Sequence, residues 1–123
     1  MTHSLPLAVL LVEADPSTRE VTAIVLKTAG CPVLTASNGS VGLAMLLIQR
    51  DVSVLISNID MLGGIDGIEL AKRGGALFPS LGVVLTSHET GALDKDFPGT
   101  ALFLLKPYDR KGLLMAFLAV TSY

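Results

Sequence analysis

The chain has 123 residues, of which 50% are hydrophobic and only 16% charged, with a formal net charge of −2. That length fits one domain with a sizeable core, and scattered Lys and Arg at this charge leave no nucleic-acid footprint. No apolar run reaches the ~18 residues of a bilayer span, so no membrane partner is expected. The opening MTHSLPLAVLLVEAD lacks a basic n-region and does not read as a signal peptide. The single Cys31 excludes an internal disulfide and fits a reducing cytoplasm. Charged residues usually approach ~25% of a globular chain, so the deficit points to apolar surface covered by a partner. No repeat, low-complexity segment or linker interrupts the chain, and any output domain is expected outside it.

Leu7 to Val12 (LAVLLV) is a continuous apolar run and reads as a central strand. Asp15 before Pro16 is a helix start, with Asp as N-cap and Pro in the first turn. This helix runs to about Ala29, with Val21, Ile24, Val25 and Thr28 on one face, and Gly30 stops it. Cys31 to Ala36 is a second strand, and its Pro32 assigns it to a sheet edge. Asn38-Gly39-Ser40 opens a second helix reaching Gln49. Val41, Ala44, Met45 and Ile48 form its stripe, while Leu43, Leu46 and Leu47 make it apolar on further sides.

Val52 to Ser57 is a third strand, ending at Asn58 before a loop with Gly63-Gly64. Asp66 to about Gly75 is a third helix with Ile68, Leu70 and Ala71 inward. Leu81 to Thr86 is a fourth strand, His88 to Phe97 holds at most one short helix, and Thr100 to Leu105 is a fifth strand. Lys106-Pro107 follows. A last helix spans Asp109 to about Val120 and is apolar on more than one side.

Five strands alternating with helices predict a three-layer α/β/α fold, a flavodoxin-like doubly wound parallel sheet of order 2-1-3-4-5. Chemistry in such sheets lies beyond the carboxyl ends of the strands. That rule gathers Glu13, Ala14, Asp15 and Asn58 at one edge, with Thr86 and Lys106 at neighbouring strand ends. Asn58 stands where a working side chain should stand, yet an amide is neither a nucleophile nor a carboxylate ligand. Equally, Asn58 caps the strand end and starts a turn, as Asn often does.

LLVEADPSTRE, LISNIDMLGGIDGIEL, VVLTS and FLLKPYD together resemble the receiver domain of two-component response regulators, over essentially the whole chain. In that family an acidic pair after the first strand helps bind magnesium, and an aspartate ending the third strand takes a phosphoryl group from a kinase histidine. A Thr or Ser after the fourth strand and a Lys before Pro after the fifth contact that group. The resemblance assigns Glu13 to the first acid, Lys106 with Pro107 to the lysine, Thr86 to the switch hydroxyl and Phe103 to the switch aromatic, and it implies a cis Lys106-Pro107 bond, a form that costs little before proline. Two positions depart: Ala14 replaces the second acid and Asn58 the phosphoacceptor. Leu62 stands where Pro is usual, Gly63-Gly64 lengthens the loop, and the segment between Thr86 and Lys106 is short.

Magnesium takes hard oxygen ligands, usually with one or two carboxylates. One of the expected carboxylates remains, so no cofactor and no tight magnesium site are expected. Asp15 reads as the N-cap rather than a substitute ligand. Asp60 matches a position that offers its backbone carbonyl to the metal, with its side chain outward. His3 and His88 have no companion ligands, and His88 is expected to face solvent near the pocket.

The resemblance thus implies a degenerate receiver, a non-enzymatic interaction module not switched by aspartyl phosphorylation. Its partners would be other signalling proteins, a kinase or an output protein. One alternative is a conventional receiver carrying an Asp-to-Asn substitution at Asn58, against which Ala14 is a second loss. Others are a phosphatase of the haloacid-dehalogenase type, whose D-x-D resembles Asn58-Ile59-Asp60 without the nucleophile, or an FMN carrier, whose phosphate donors are missing at Glu13 to Pro16. The apolar excess on Leu113 to Val120 predicts a homodimer through the last helix and fifth strand, with the second helix as the other candidate surface.

Overall fold

The computed structural model describes residues 7–61, 63–89 and 100–121. In chain order it has β1 (Ala8–Val12), α1 (Pro16–Thr28), β2 (Val33–Ala36), α2 (Gly39–Ile48), β3 (Val52–Asn58), α3 (Gly67–Leu77), β4 (Gly82–Ser87), β5 (Leu102–Leu105) and α4 (Arg110–Thr121). The strands form one five-stranded sheet ordered β2-β1-β3-β4-β5, and every pairing is parallel. The expected winding and the edge position of the second strand are both found. The stretch expected to hold a short helix before β5 is described only as far as Glu89, and His3 and Leu62 also lie outside the described residues.

Strand alternation divides the core. Leu10, Val12, Leu55 and Leu85 face α2 and α3, packing with Leu46, Leu70 and Ala71. Val9, Leu11, Ile56 and Val84 face α1 and α4, packing with Leu26, Leu113 and Phe117. Continuous apolar runs suit strands buried on both sides. Each described helix starts on an Asx side chain that accepts an otherwise unpaired backbone N–H. Asp15 caps Thr18 at 2.8 Å, Asn38 caps Val41 at 2.9 Å, Asp66 caps Glu69 at 2.8 Å and Asp109 caps Gly112 at 2.7 Å.

Two expected helix faces are corrected. In α1 the buried residues are Thr22, Ala23 and Leu26, while Val21 and Ile24 are exposed. In α2 they are Gly39, Gly42 and Leu46, while Val41 and Ile48 are exposed. In α2 a Cβ built on Gly42 would lie 2.9 Å from a Val12 methyl, so the close approach of helix to sheet favours a small residue at that point of the buried face. Ile68, Leu70 and Ala71 of α3 are buried as expected. In α4, Leu113, Ala116 and Phe117 point inward while Met115 and Leu118 remain exposed, the two-sided apolar character expected there.

Candidate functional site

The register brings the strand ends together. Val12 pairs with Ser57 and Asn58 with Thr86, while Ser87 pairs with Leu105. Glu13, Asn58, Thr86 and Lys106 therefore emerge at one rim of the sheet. β3 and β4 each run one residue beyond the expected end, so Asn58 and Ser87 are strand residues rather than loop residues. The loop after β3 turns through Gly63 and Gly64 at φ 73° and 75°, a region glycine enters at no steric cost. It returns at Gly67, whose N–H donates to the Ile59 carbonyl at 3.0 Å. A Cβ on Gly67 would lie 2.1 Å from the Asn58 carbonyl oxygen, so this position admits no side chain as the backbone stands.

Glu13 is the hub. It is 2% exposed, and its Oε1 forms an ion pair with Lys106 Nζ, itself buried. Its Oε2 accepts from the Asp15 backbone N–H at 3.1 Å and from Asn58 Nδ2 at 3.5 Å. The Glu13 carbonyl accepts from Arg19 Nη1 at 2.8 Å, tying the exit of β1 to the first turn of α1. A buried charge needs a partner and further hydrogen bonds, and Glu13 has them.

Asn58 is half-buried, and its Nδ2 donates to the Asp60 carbonyl at 2.9 Å. The amide thus links the Glu13 carboxylate to the Asp60 backbone. Ala14 is exposed and offers no donor or acceptor from its side chain. Asp15 turns to its own helix, accepting from the Thr18 N–H and hydroxyl at 2.8 and 2.7 Å. Those two bonds from Thr18, the backbone one foremost, hold its carboxyl below the usual range. The structure therefore places Asp15 as a cap and not among the converging groups. Asp60 sends its carboxylate to the Ser87 hydroxyl at 3.0 Å rather than toward Glu13.

Thr86 is buried beside Asn58, and its carbonyl accepts from Ile59 N–H at 2.8 Å. Lys106 continues the β4–β5 ladder through its N–H to the Ser87 carbonyl at 2.8 Å, and the Lys106–Pro107 bond is cis, as expected. Phe103 is half-buried on β5 and packs on the α2–α3 side of the core. Among the described residues no three His, Cys, Asp or Glu side chains converge as a group that could hold a metal.

Two contacts escaped the sequence reading. Ser87 stands one residue past the strand end drawn from sequence, and only the Thr86-Ser87 hydroxyl pair signalled it. Tyr108, just after Pro107, shares a hydrogen bond of 2.8 Å between its phenol and the buried Thr22 hydroxyl. Burial pushes the Tyr108 phenol above its usual range. No local pattern couples residues this far apart in the chain. Beside this contact lies a groove of about 290 Å³ between α1 and the turn after β5, with Val21, His88 and Lys106 in its lining. His88 is exposed at its rim.

Residues 9–117 match the family model of the response regulator receiver domain. The chain is 32% identical over 119 residues to the transcriptional regulatory protein GlrR of Escherichia coli, covering 94% of this chain and 26% of that protein. It is also 32% identical over 89 residues to the sensor protein TorS of Escherichia coli, covering 72% of this chain and 9% of that one. The chain thus spans about a quarter or less of these relatives. Among solved structures, the chemotaxis protein CheY4 of Vibrio cholerae superposes with a TM-score of 0.84 at 27% identity, covering 94% of this chain and 98% of that one. A response regulator receiver protein of Sinorhizobium medicae superposes with a TM-score of 0.88 at 19% identity, covering 95% and 96%, a likeness of fold. The family match and the parallel sheet of order β2-β1-β3-β4-β5 agree, and the chain belongs to the response regulator receiver domains of two-component signalling.

Proposed function

We propose that this receiver acts as a protein-interaction module whose output does not depend on phosphorylation at the end of β3. One observation carries the reading: Asn58 supplies an amide where the reaction needs a carboxylate nucleophile, and that amide is already engaged with Glu13 and Asp60. An amide nitrogen has no nucleophilic lone pair for phosphoryl transfer. The donors around it fit a magnesium ion poorly. Glu13 is paired with Lys106, the Asp60 carbonyl accepts from Asn58, and Ala14 contributes no carboxylate. With no acidic cluster to neutralise, a cation has little to gain there.

The partners on this reading are other signalling proteins, a kinase or an output protein, in the cytoplasm, and the domain is not itself an enzyme. The exposed Leu105 of β5 with Met115 and Leu118 of α4 supports homodimerisation through that side. A receiver altered only at residue 58 is disfavoured by Ala14, a separate loss.

The test is mass spectrometry of the wild type, Asn58→Asp, and Ala14→Asp/Asn58→Asp, each incubated with acetyl phosphate and magnesium. The wild type should gain no phosphoryl group. The single variant should label slowly, because its cation still lacks the carboxylate missing at Ala14. The double variant should label and bind magnesium. Phosphorylation of the wild type would overturn the reading. Equal rates for single and double variants would remove Ala14 from the argument.

A further inference from the structure

We propose that Asp60 and Ser87 form a built-in latch that fixes where the chain leaves β4, whatever the state of residue 58. The backbone ladder between β3 and β4 ends with the Ile59 N–H donating to the Thr86 carbonyl at 2.8 Å. Beyond that point side chains take over. Ser87 is fully buried, and its Oγ donates to Asp60 Oδ2 at 3.0 Å while accepting from the Glu89 N–H at 3.1 Å. A hydroxyl has one hydrogen and two lone pairs. Here the hydrogen goes to the carboxylate, and a lone pair receives the backbone of the outgoing chain.

The two ends of this relay are themselves held. The Asp60 carbonyl accepts from Asn58 Nδ2 at 2.9 Å, so Asp60 is fixed at its backbone as well as its side chain. The Ser87 carbonyl accepts from the Lys106 N–H at 2.8 Å, which anchors Ser87 from β5. A hydrogen bond to an ionised acceptor is stronger than a neutral one. The carboxylate is therefore a resident anion that holds the hydroxyl at the end of β4. Strand alternation turns Thr86 and Ser87 to opposite faces of the sheet, so the latch works on the side away from the Thr86 hydroxyl. The consequence is a single arrangement of the β4 exit in the unmodified protein, imposed by a residue of the chain.

The experiment is amide hydrogen exchange and relaxation dispersion by NMR on the full chain, read at Glu89. Wild type, Asp60→Ala, Ser87→Ala, the double variant and Ser87→Thr are compared, with Thr35→Ala on the exposed side of β2 as control. Asp60→Ala and Ser87→Ala should each speed Glu89 exchange by about tenfold and introduce microsecond-to-millisecond exchange at that amide. The double variant should add little to either single one, because one relay is broken in each case. Ser87→Thr should preserve protection, and the control should leave Glu89 unchanged. Asp60 is exposed, so its variant keeps the test valid should a change at buried Ser87 impair folding. Unprotected Glu89 in the wild type, or a rate unaffected by Asp60→Ala, would overturn the latch. None of these readouts involves phosphorylation, so the latch and the reading of Asn58 can fail separately.

Discussion

Glu13 and Lys106 meet across the sheet with side chains 3% and 5% exposed, whereas Asp60 reaches Ser87 from an exposed position at the rim. Both pairings join residues from different strand ends, and both satisfy a carboxylate. They differ in what surrounds the charge. The β1–β5 pair is wrapped by the core, so losing one partner strands an ion away from water. On the β3–β4 side the carboxylate can return to water, so parting it from Ser87 costs the hydrogen bond and the geometry it holds. One receiver site thus contains a half that supports the fold and a half that sets local chain direction.

The sharpest way to break this contrast is Lys106→Met. Leaving Glu13 charged and buried should cost about 3–5 kcal/mol in urea unfolding, with much of it recovered in Glu13→Gln/Lys106→Met. A loss under about 1 kcal/mol would mean that water reaches Glu13 and that the two halves are alike. Next comes Gly67→Ala, which drives a methyl to within 2.1 Å of the Asn58 carbonyl. Displacing α3 to relieve it should cost about 1–3 kcal/mol and shift the Asn58 amide resonances, showing that the buried half depends on the return of this loop.

Tyr108→Phe should lower stability by about 1 kcal/mol, because the buried Thr22 hydroxyl loses this partner. Burial of the same phenol carries a pH dependence with a definite sign. Because burial raises the phenol, its contribution is fully present below the unfolded value near ~10 and is lost as pH rises through the higher folded value. Alkaline unfolding of the wild type should fall more steeply than that of the variant. The smallest effect is expected outside both halves. Ile48→Ala on the outer side of α2, where the residue is 74% exposed, should change stability by no more than about 0.5 kcal/mol. A larger loss in the monomer would restore the helix face drawn from the sequence.

The sequence alone determined the order of the described elements, the winding of the sheet and the Asp15 cap. These rest on short-range physics: apolar runs ended by turns, Asx side chains placed three residues ahead of the N–H groups they cap, and strand ends in a predictable winding. It also determined that Asn58 and Ala14 carry no carboxylate, since that needs only the residue types. The tertiary structure decided which side of α1 and α2 is buried; in α2, Gly42 lies against Val12 of β1 and Gly39 against the Ile65 carbonyl, where a larger side chain would collide. It decided, too, that Asp60 serves Ser87 and that Thr22 serves Tyr108. Those partners are distant in sequence, and a hydrogen bond between them exists only once strand register and helix docking have brought both groups within about 3 Å.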